Sequence, residues 1–152
     1  MQLTYYSDYS LRVLMYVGLH RDNVSTISDI SCSFDISRNH IIKVVQNLAA
    51  MELVITIRGR YGGVSLALEP EFINLAAVVQ QTEPNFYLAE CFTPNGDCCI
   101  EPACRLKLVL NEAFQNFFAT LGRYTLADLL KNKNEVISHL HAVEVPFKPE
   151  LH

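Results

Sequence analysis

SRNHIIKVVQNLAAMELVITIRGRYGGVSLAL, Ser37 to Leu68, changes its hydrophobic period part-way along. Ile41, Val44, Val45 and Leu48 recur at i, i+3, i+4 and i+7, one stripe of a helix that Ser37 opens. The face opposite that stripe carries Asn39, His40, Lys43, Gln46 and Asn47. From Leu53 to Arg58 β-branched residues take over and predict a strand. Gly59-Arg60-Tyr61-Gly62-Gly63 is a turn, and Val64 to Leu68 is the returning strand.

Upstream of this stretch the spacing predicts two more helices. Asp8 to Leu19 has Leu11, Leu14 and Met15 at helical spacing, with Ser7 or Asp8 as N-cap. Thr26-x-x-Asp29 is a capping-box start for a second helix, with Ile27, Ile30 and Phe34 on one side. The pair Asp35-Ile36 is the turn before Ser37. Three helices and a hairpin with a basic, glycine-rich tip follow the order of a winged helix-turn-helix. The fold class expected is therefore mainly α with a small β-hairpin.

Downstream, Asn74 to Gln81 reads as a short helix, and Pro102 suits the first position of a long one that stops at Gly122. Thr125-x-x-Asp128 caps a further short helix. The long helix carries Leu106, Leu110, Ala113, Phe114, Phe117 and Leu121 on one side, with Val109 and Phe118 nearby. That is more apolar surface than a small domain covers alone, so a homodimer through this helix is expected. The expected organisation is a winged domain over 1–81, a cysteine loop over 82–101, the dimerisation helix and C-terminal helices over 102–145, and a tail over 146–152.

Formal net charge is −4, which by itself argues against a polyanionic partner. Its distribution reverses that reading. Between Ser37 and Gly63 the bases Arg38, Lys43, Arg58 and Arg60 face the single acid Glu52. A local basic patch in an acidic chain is a phosphate-facing surface. Asn and Gln can pair with adenine edges, and Lys and Arg suit guanine or phosphate. Ser37, Arg38, Asn39, His40, Lys43, Gln46, Asn47, Arg58, Arg60 and Tyr61 are thus the candidate contacts to double-stranded DNA, with Arg58 and Arg60 flanking a wing tip able to enter the minor groove.

Four of the five cysteines, Cys91, Cys98, Cys99 and Cys104, crowd into the Pro- and Gly-broken stretch CFTPNGDCCIEPACRLK. The N-terminus MQLTYYSDYSLR has no secretory pattern and no run of about 18 apolar residues occurs, so a cytoplasmic protein without a membrane span is expected. In that compartment clustered thiols mean metal or redox chemistry. Zinc sites favour tight C-x2–4-C pairs, whereas wider spacing around a loop suits an iron–sulfur cluster. A zinc- or thiol-based redox switch built on these cysteines remains the alternative. No Ser/His/Asp or paired-carboxylate arrangement stands out, and an enzyme is not expected.

The order DYSLR, SRNHIIKVVQNL, RGRYGG, TEP, PACRLK and YTLADLL resembles the Rrf-type winged-helix iron–sulfur regulators, and among them the nitric-oxide-sensing repressors. The resemblance spans residues 1 to about 130. It implies a homodimeric transcriptional repressor whose long helices cross between subunits. It further implies that Cys91, Cys98 and Cys104 hold an iron–sulfur cluster, 4Fe–4S rather than 2Fe–2S, with Asp8 of the partner subunit as fourth ligand. Cys99 stands where relatives commonly carry another residue and is an alternative ligand. The iron–sulfur-assembly branch uses a histidine where this chain has Lys107.

Overall fold

Helix α1 (Tyr5–Leu19) begins earlier than its apolar spacing suggests, and Thr4 is the residue that caps it. The Thr4 hydroxyl accepts from the Ser7 N–H at 3.3 Å, while Glu83 Oε1 accepts from the Thr4 N–H at 2.7 Å. Ser7, expected as a cap, is instead buried inside the helix and accepts from the Thr82 hydroxyl at 2.8 Å. Asp8 sits in the first turn and caps nothing. These features belong to a computed structural model that describes residues 2–140; the expected tail 146–152 lies outside the described residues.

The next two helices follow their sequence signals. In α2 (Ile27–Phe34) the Thr26–Asp29 capping box is formed in both directions. Asp35 then takes a left-handed conformation, φ 52°, which Asp tolerates better than most residues and which turns the chain sharply. The Ser31 hydroxyl donates to the Ile36 carbonyl at 2.6 Å and closes that turn. Ser37 caps α3 (Arg38–Ala50) by accepting from the His40 N–H. Ile41, Val44, Val45 and Leu48 are all buried, as their period requires.

Strands β1 (Val54–Ile57) and β2 (Gly63–Leu66) pair antiparallel in the register Val54↔Leu66 to Ile57↔Gly63. On its other edge β2 exchanges backbone hydrogen bonds with Ser25 through Val64, at 3.1 and 2.7 Å. A Cβ on Gly63 would fall 2.4 Å from the Ser25 carbonyl oxygen, so only glycine lets the two backbones approach. The core gathers Val13, Leu14 and Val17 of α1 with Ile30, Ile41, Leu48, Val54 and Val64.

After a 3₁₀ turn at Pro70–Phe72, α4 (Leu75–Thr82) is capped by Asn74, whose side chain accepts from Ala76 and Ala77. The long helix α5 (Arg105–Leu121) starts later than expected. Pro102 lies in a separate 3₁₀ turn, Glu101–Ala103, and Cys104 is extended (φ −79°, ψ 109°) at the N-cap. Proline's fixed φ suits the start of any short helical turn, and an extended Cys104 keeps this one from running into α5. Gly122 ends α5 as anticipated, its N–H donating to the Phe118 carbonyl at 2.8 Å.

The C-terminal half of α5 packs on α4. Phe118 joins Ala76 and Val79, with Phe86, Phe114, Phe117 and Leu121 around them. Asn74 donates to the Gly122 carbonyl at 2.8 Å and anchors the end of α5 to the winged domain. Its N-terminal half is bare: Leu106 is 62% exposed and Val109 is 59% exposed. Helices α6 (Leu126–Leu129), with its Thr125–Asp128 capping box, and α7 (Lys133–His139) follow. Among the described residues no helix is long and apolar enough to cross a membrane.

Candidate nucleic-acid interface and cysteine centre

Burying one face of α3 forces the other outward. Ser37, Arg38, Asn39, His40, Lys43 and Gln46 are exposed, and Asn47 is half-buried with its amide donating to Met51 Sδ at 3.3 Å. Arg38 donates to the Ser28 hydroxyl of α2, and Ser37 is occupied as the cap. Arg58, Arg60 and Tyr61 are exposed at the wing, where the Arg60 guanidinium lies 5.8 Å from the Tyr61 ring centroid. The residues selected from the sequence thus fall on two exposed surfaces, the outer face of α3 and the tip of the hairpin that α3 packs against.

The sequence reading missed the tyrosines beside α3. Tyr5, Tyr6 and Tyr9 of α1 line a cleft of about 370 Å³ with His40, Lys43 and Val44. The Tyr9 and His40 rings are 6.0 Å apart, as are those of Tyr5 and Tyr9. Tyr5 and Tyr9 stand at i and i+4, a spacing that places them on one helix face and would have flagged them. The same turns of α1 carry Asp8. Its carboxylate is held by Arg12 in a two-pronged pair, Nε to Oδ1 at 3.1 Å and Nη2 to Oδ2 at 2.9 Å.

The cysteine segment is irregular but not formless. Cys91 lies in a 3₁₀ turn, Glu90–Phe92, against which Gly96 folds back. A Cβ on Gly96 would meet the Glu90 carbonyl oxygen at 2.2 Å and the Cys91 Cα at 3.2 Å. The Thr93 hydroxyl donates to the Glu90 carbonyl at 2.8 Å, and the Cys98 carbonyl accepts from the Glu101 N–H at 3.0 Å. Cys91, Cys98 and Cys104 are half-buried free thiols, whereas Cys99 is exposed. Cys104 caps α5 without a side-chain hydrogen bond.

Lys107 pairs with Glu101, and its ammonium lies 5.9 Å from the Phe92 ring centroid. The hydrogen bond that Lys107 donates to Glu101 is the main cause that raises the Lys107 pKa; desolvation opposes it, and the charge of Glu101 adds to it. Among the described residues no three His, Cys, Asp or Glu side chains stand close enough to hold a single metal ion. The donors nevertheless fit a cluster in kind. Cys91, Cys98 and Cys104 are half-buried free thiols, and sulfur donors from a wide perimeter are what iron–sulfur clusters take.

The sequence model of Rrf2, described as iron-dependent transcriptional regulators, matches residues 3–132. The chain belongs to the Rrf2 family. Similar Rrf2-type relatives include the HTH-type transcriptional regulator NsrR of Bacillus subtilis, 46% identical over 146 residues, which cover 95% of this chain and 100% of that protein. The NsrR of Halalkalibacterium halodurans is 48% identical over 138 residues, 90% of this chain and 94% of the relative. Among solved structures, T. potens IscR superposes with a TM-score of 0.70 at 20% identity, covering 89% of this chain and 90% of its own. CymR, the global cysteine regulator of B. subtilis, superposes with a TM-score of 0.65 at 20% identity, covering 85% and 95%. These two likenesses establish the fold alone: an Rrf2 winged helix, mainly helical with one antiparallel hairpin. The Rrf2 chain is a DNA-binding transcriptional regulator and not an enzyme.

Proposed function

We propose that this Rrf2 protein is a cytoplasmic, homodimeric repressor whose operator affinity is set by an iron–sulfur cluster that responds to nitric oxide. The observation that carries this reading is a loop with three half-buried free thiols, Cys91, Cys98 and Cys104, the last of them at the N-cap of α5. The nearness in sequence to NsrR proteins, and the motifs shared with the nitric-oxide-sensing repressors, supply the signal.

Each part of the chain has a task in this reading. Cys91, Cys98 and Cys104 hold the cluster, with Asp8 of the partner subunit as the fourth ligand and Cys99 as its alternative. A 4Fe–4S cluster suits this perimeter better than 2Fe–2S. When bound, the cluster supplies iron that reacts with nitric oxide. The apolar row Leu106, Val109, Leu110 and Ala113 on α5 meets its equivalent in the second subunit and brings the partner's α1 within reach. To act as a ligand, Asp8 must leave Arg12. Helix α1 packs on α3, and Tyr9 touches His40, so a pull on Asp8 reaches the reading helix directly. Release of the loop changes the spacing of the two reading helices, on which dimeric recognition of two half-sites depends. A 100-fold fall in affinity corresponds to about 2.7 kcal/mol, within the scope of one ligand bond and an ordered loop.

The test is iron and sulfide content per subunit in protein purified without oxygen, with absorption spectra and operator binding before and after nitric oxide. We expect matched iron and sulfide, a spectrum bleached or altered by nitric oxide, and weaker binding afterwards. One zinc and no sulfide would transfer the site to the redox-switch alternative. Asp8→Ala should loosen cluster retention or its coupling to DNA; no effect on either would point to Cys99.

A further inference from the structure

Only Tyr9 of the tyrosine cleft beside α3 has a task in the proposed function. The cleft is lined by Tyr5, Tyr6 and Tyr9 of α1 and by His40, Lys43 and Val44 of α3. None of the six is acidic, and Asp8, the only acid of α1, is paired with Arg12. Among the described residues Lys43 makes no ion pair, and the hydroxyls of Tyr5 and Tyr9 make no hydrogen bond. Tyr5 is 73% exposed, and the half-buried Tyr9 ring lies 6.0 Å from both Tyr5 and His40. Two ring-to-ring steps thus lead from the outer face of α3 onto the first turns of α1.

We propose that Tyr5 and Tyr9 are DNA contacts whose hydroxyls donate to phosphates of the strand bordering the groove that α3 reads, with a deoxyribose of that strand in the cleft. The inference rests on α3 being the reading helix and is independent of any cluster. The major groove is about 12 Å wide and a helix with its side chains is about 10–12 Å across, so α3 fills it. An element beside α3 then meets the sugar–phosphate wall and no base edges. Tyrosine is one of the neutral donors that phosphates accept, and such contacts set the register and orientation of a reading helix. Lys43, which lines the same cleft, supplies the positive charge that draws the strand in.

The test uses protein purified without oxygen and a duplex carrying the site that the protein selects from random DNA. Phosphates are ethylated with ethylnitrosourea, and the fragments that still bind are separated from those that do not. Ethylation of phosphates flanking each half-site should block wild-type binding. With Tyr5→Phe/Tyr9→Phe the block should vanish at those phosphates alone, since no donor is left there to lose. The rings remain, so their packing on His40 persists. Intact DNA should bind this variant about tenfold more weakly, the scale of one hydrogen bond to a charged group. Its slope of log affinity against log salt should match the wild type, because a neutral donor releases no counterion, whereas Lys43→Met should lower the slope by about one. Identical ethylation patterns in wild type and variant would overturn the proposal, as would a lowered slope in the tyrosine variant. Weaker subunit association in sedimentation, with the ethylation pattern unchanged, would give the cleft to a second copy instead. Protection of guanine N7 from dimethyl sulfate reports α3 separately. Its absence would sink the assignment of the reading helix; its presence beside an unchanged ethylation pattern would sink the tyrosine contacts alone.

Discussion

The apolar row of α3 is buried from Ile41 to Leu48, whereas that of α5 divides. Phe114, Phe117, Phe118 and Leu121 rest on α4 and Phe86, and Leu106 and Val109 face outward. The two helices carry similar apolar spacing. What separates them is where neighbours stand. Helix α3 is enclosed by α1, α2 and β1, while α5 extends past the last element able to cover it. An apolar row therefore states that a helix must be covered and leaves open by what. In α3 the cover is the same chain; in α5, on our reading, it is a second copy.

Four measurements break or sharpen that contrast. The largest effect is expected inside α3: Leu48→Ala should cost about 2–5 kcal/mol in denaturant unfolding, since it empties a fully enclosed site. Val109→Asp on α5 should leave the fold of the subunit intact and weaken association at least tenfold, about 1.4 kcal/mol, in sedimentation. If Val109→Asp unfolds the subunit instead, the bare half of α5 is covered by its own chain. Next comes the other face of the winged domain. Arg60→Ala should weaken operator binding and reduce the slope of log affinity against log salt by about one, the loss of one phosphate contact. An unchanged slope would remove the wing from the interface.

The smallest effect concerns the cap of α6. Asp128 is held below the usual carboxylate range by Lys131 and by the Thr125 backbone N–H. A lowered native pKa means its stabilisation is present above the ordinary carboxylate range and is lost as pH falls through the lowered value. Thermal melts of the wild type should lose stability on acidification in that window, and Asp128→Asn should flatten that part of the profile. An identical pH profile would show that this cap adds nothing to the junction beneath α5.

Much of the winged domain was legible because its signals are local. Thr26 and Asp29 satisfy one another across three residues, Ser37 caps its own helix, and the period of Ile41 to Leu48 states which face turns inward. The candidate DNA contacts follow as what remains outside. The start of α1 was misplaced because Thr4 is held by the hydrogen bonds it donates to Glu83, far along the chain. The start of α5 was misplaced because proline suits a 3₁₀ turn as well as a helix. Tyr5, Tyr6 and Tyr9 went unmarked since only the packing of α1 on α3 brings them to His40 and Lys43.

By itself the order of residues determined the helices and hairpin of the winged domain, its basic outward surface, and the presence of a thiol-rich loop before a long helix. Those are matters of period, capping and composition, which act over a few residues. Only the tertiary structure decided that Glu83 meets the cap of α1, that the Lys107 ammonium lies over the Phe92 ring, and that half of α5 is left bare. Such facts depend on which distant groups a fold brings within a few ångströms, and no spacing along the chain records that.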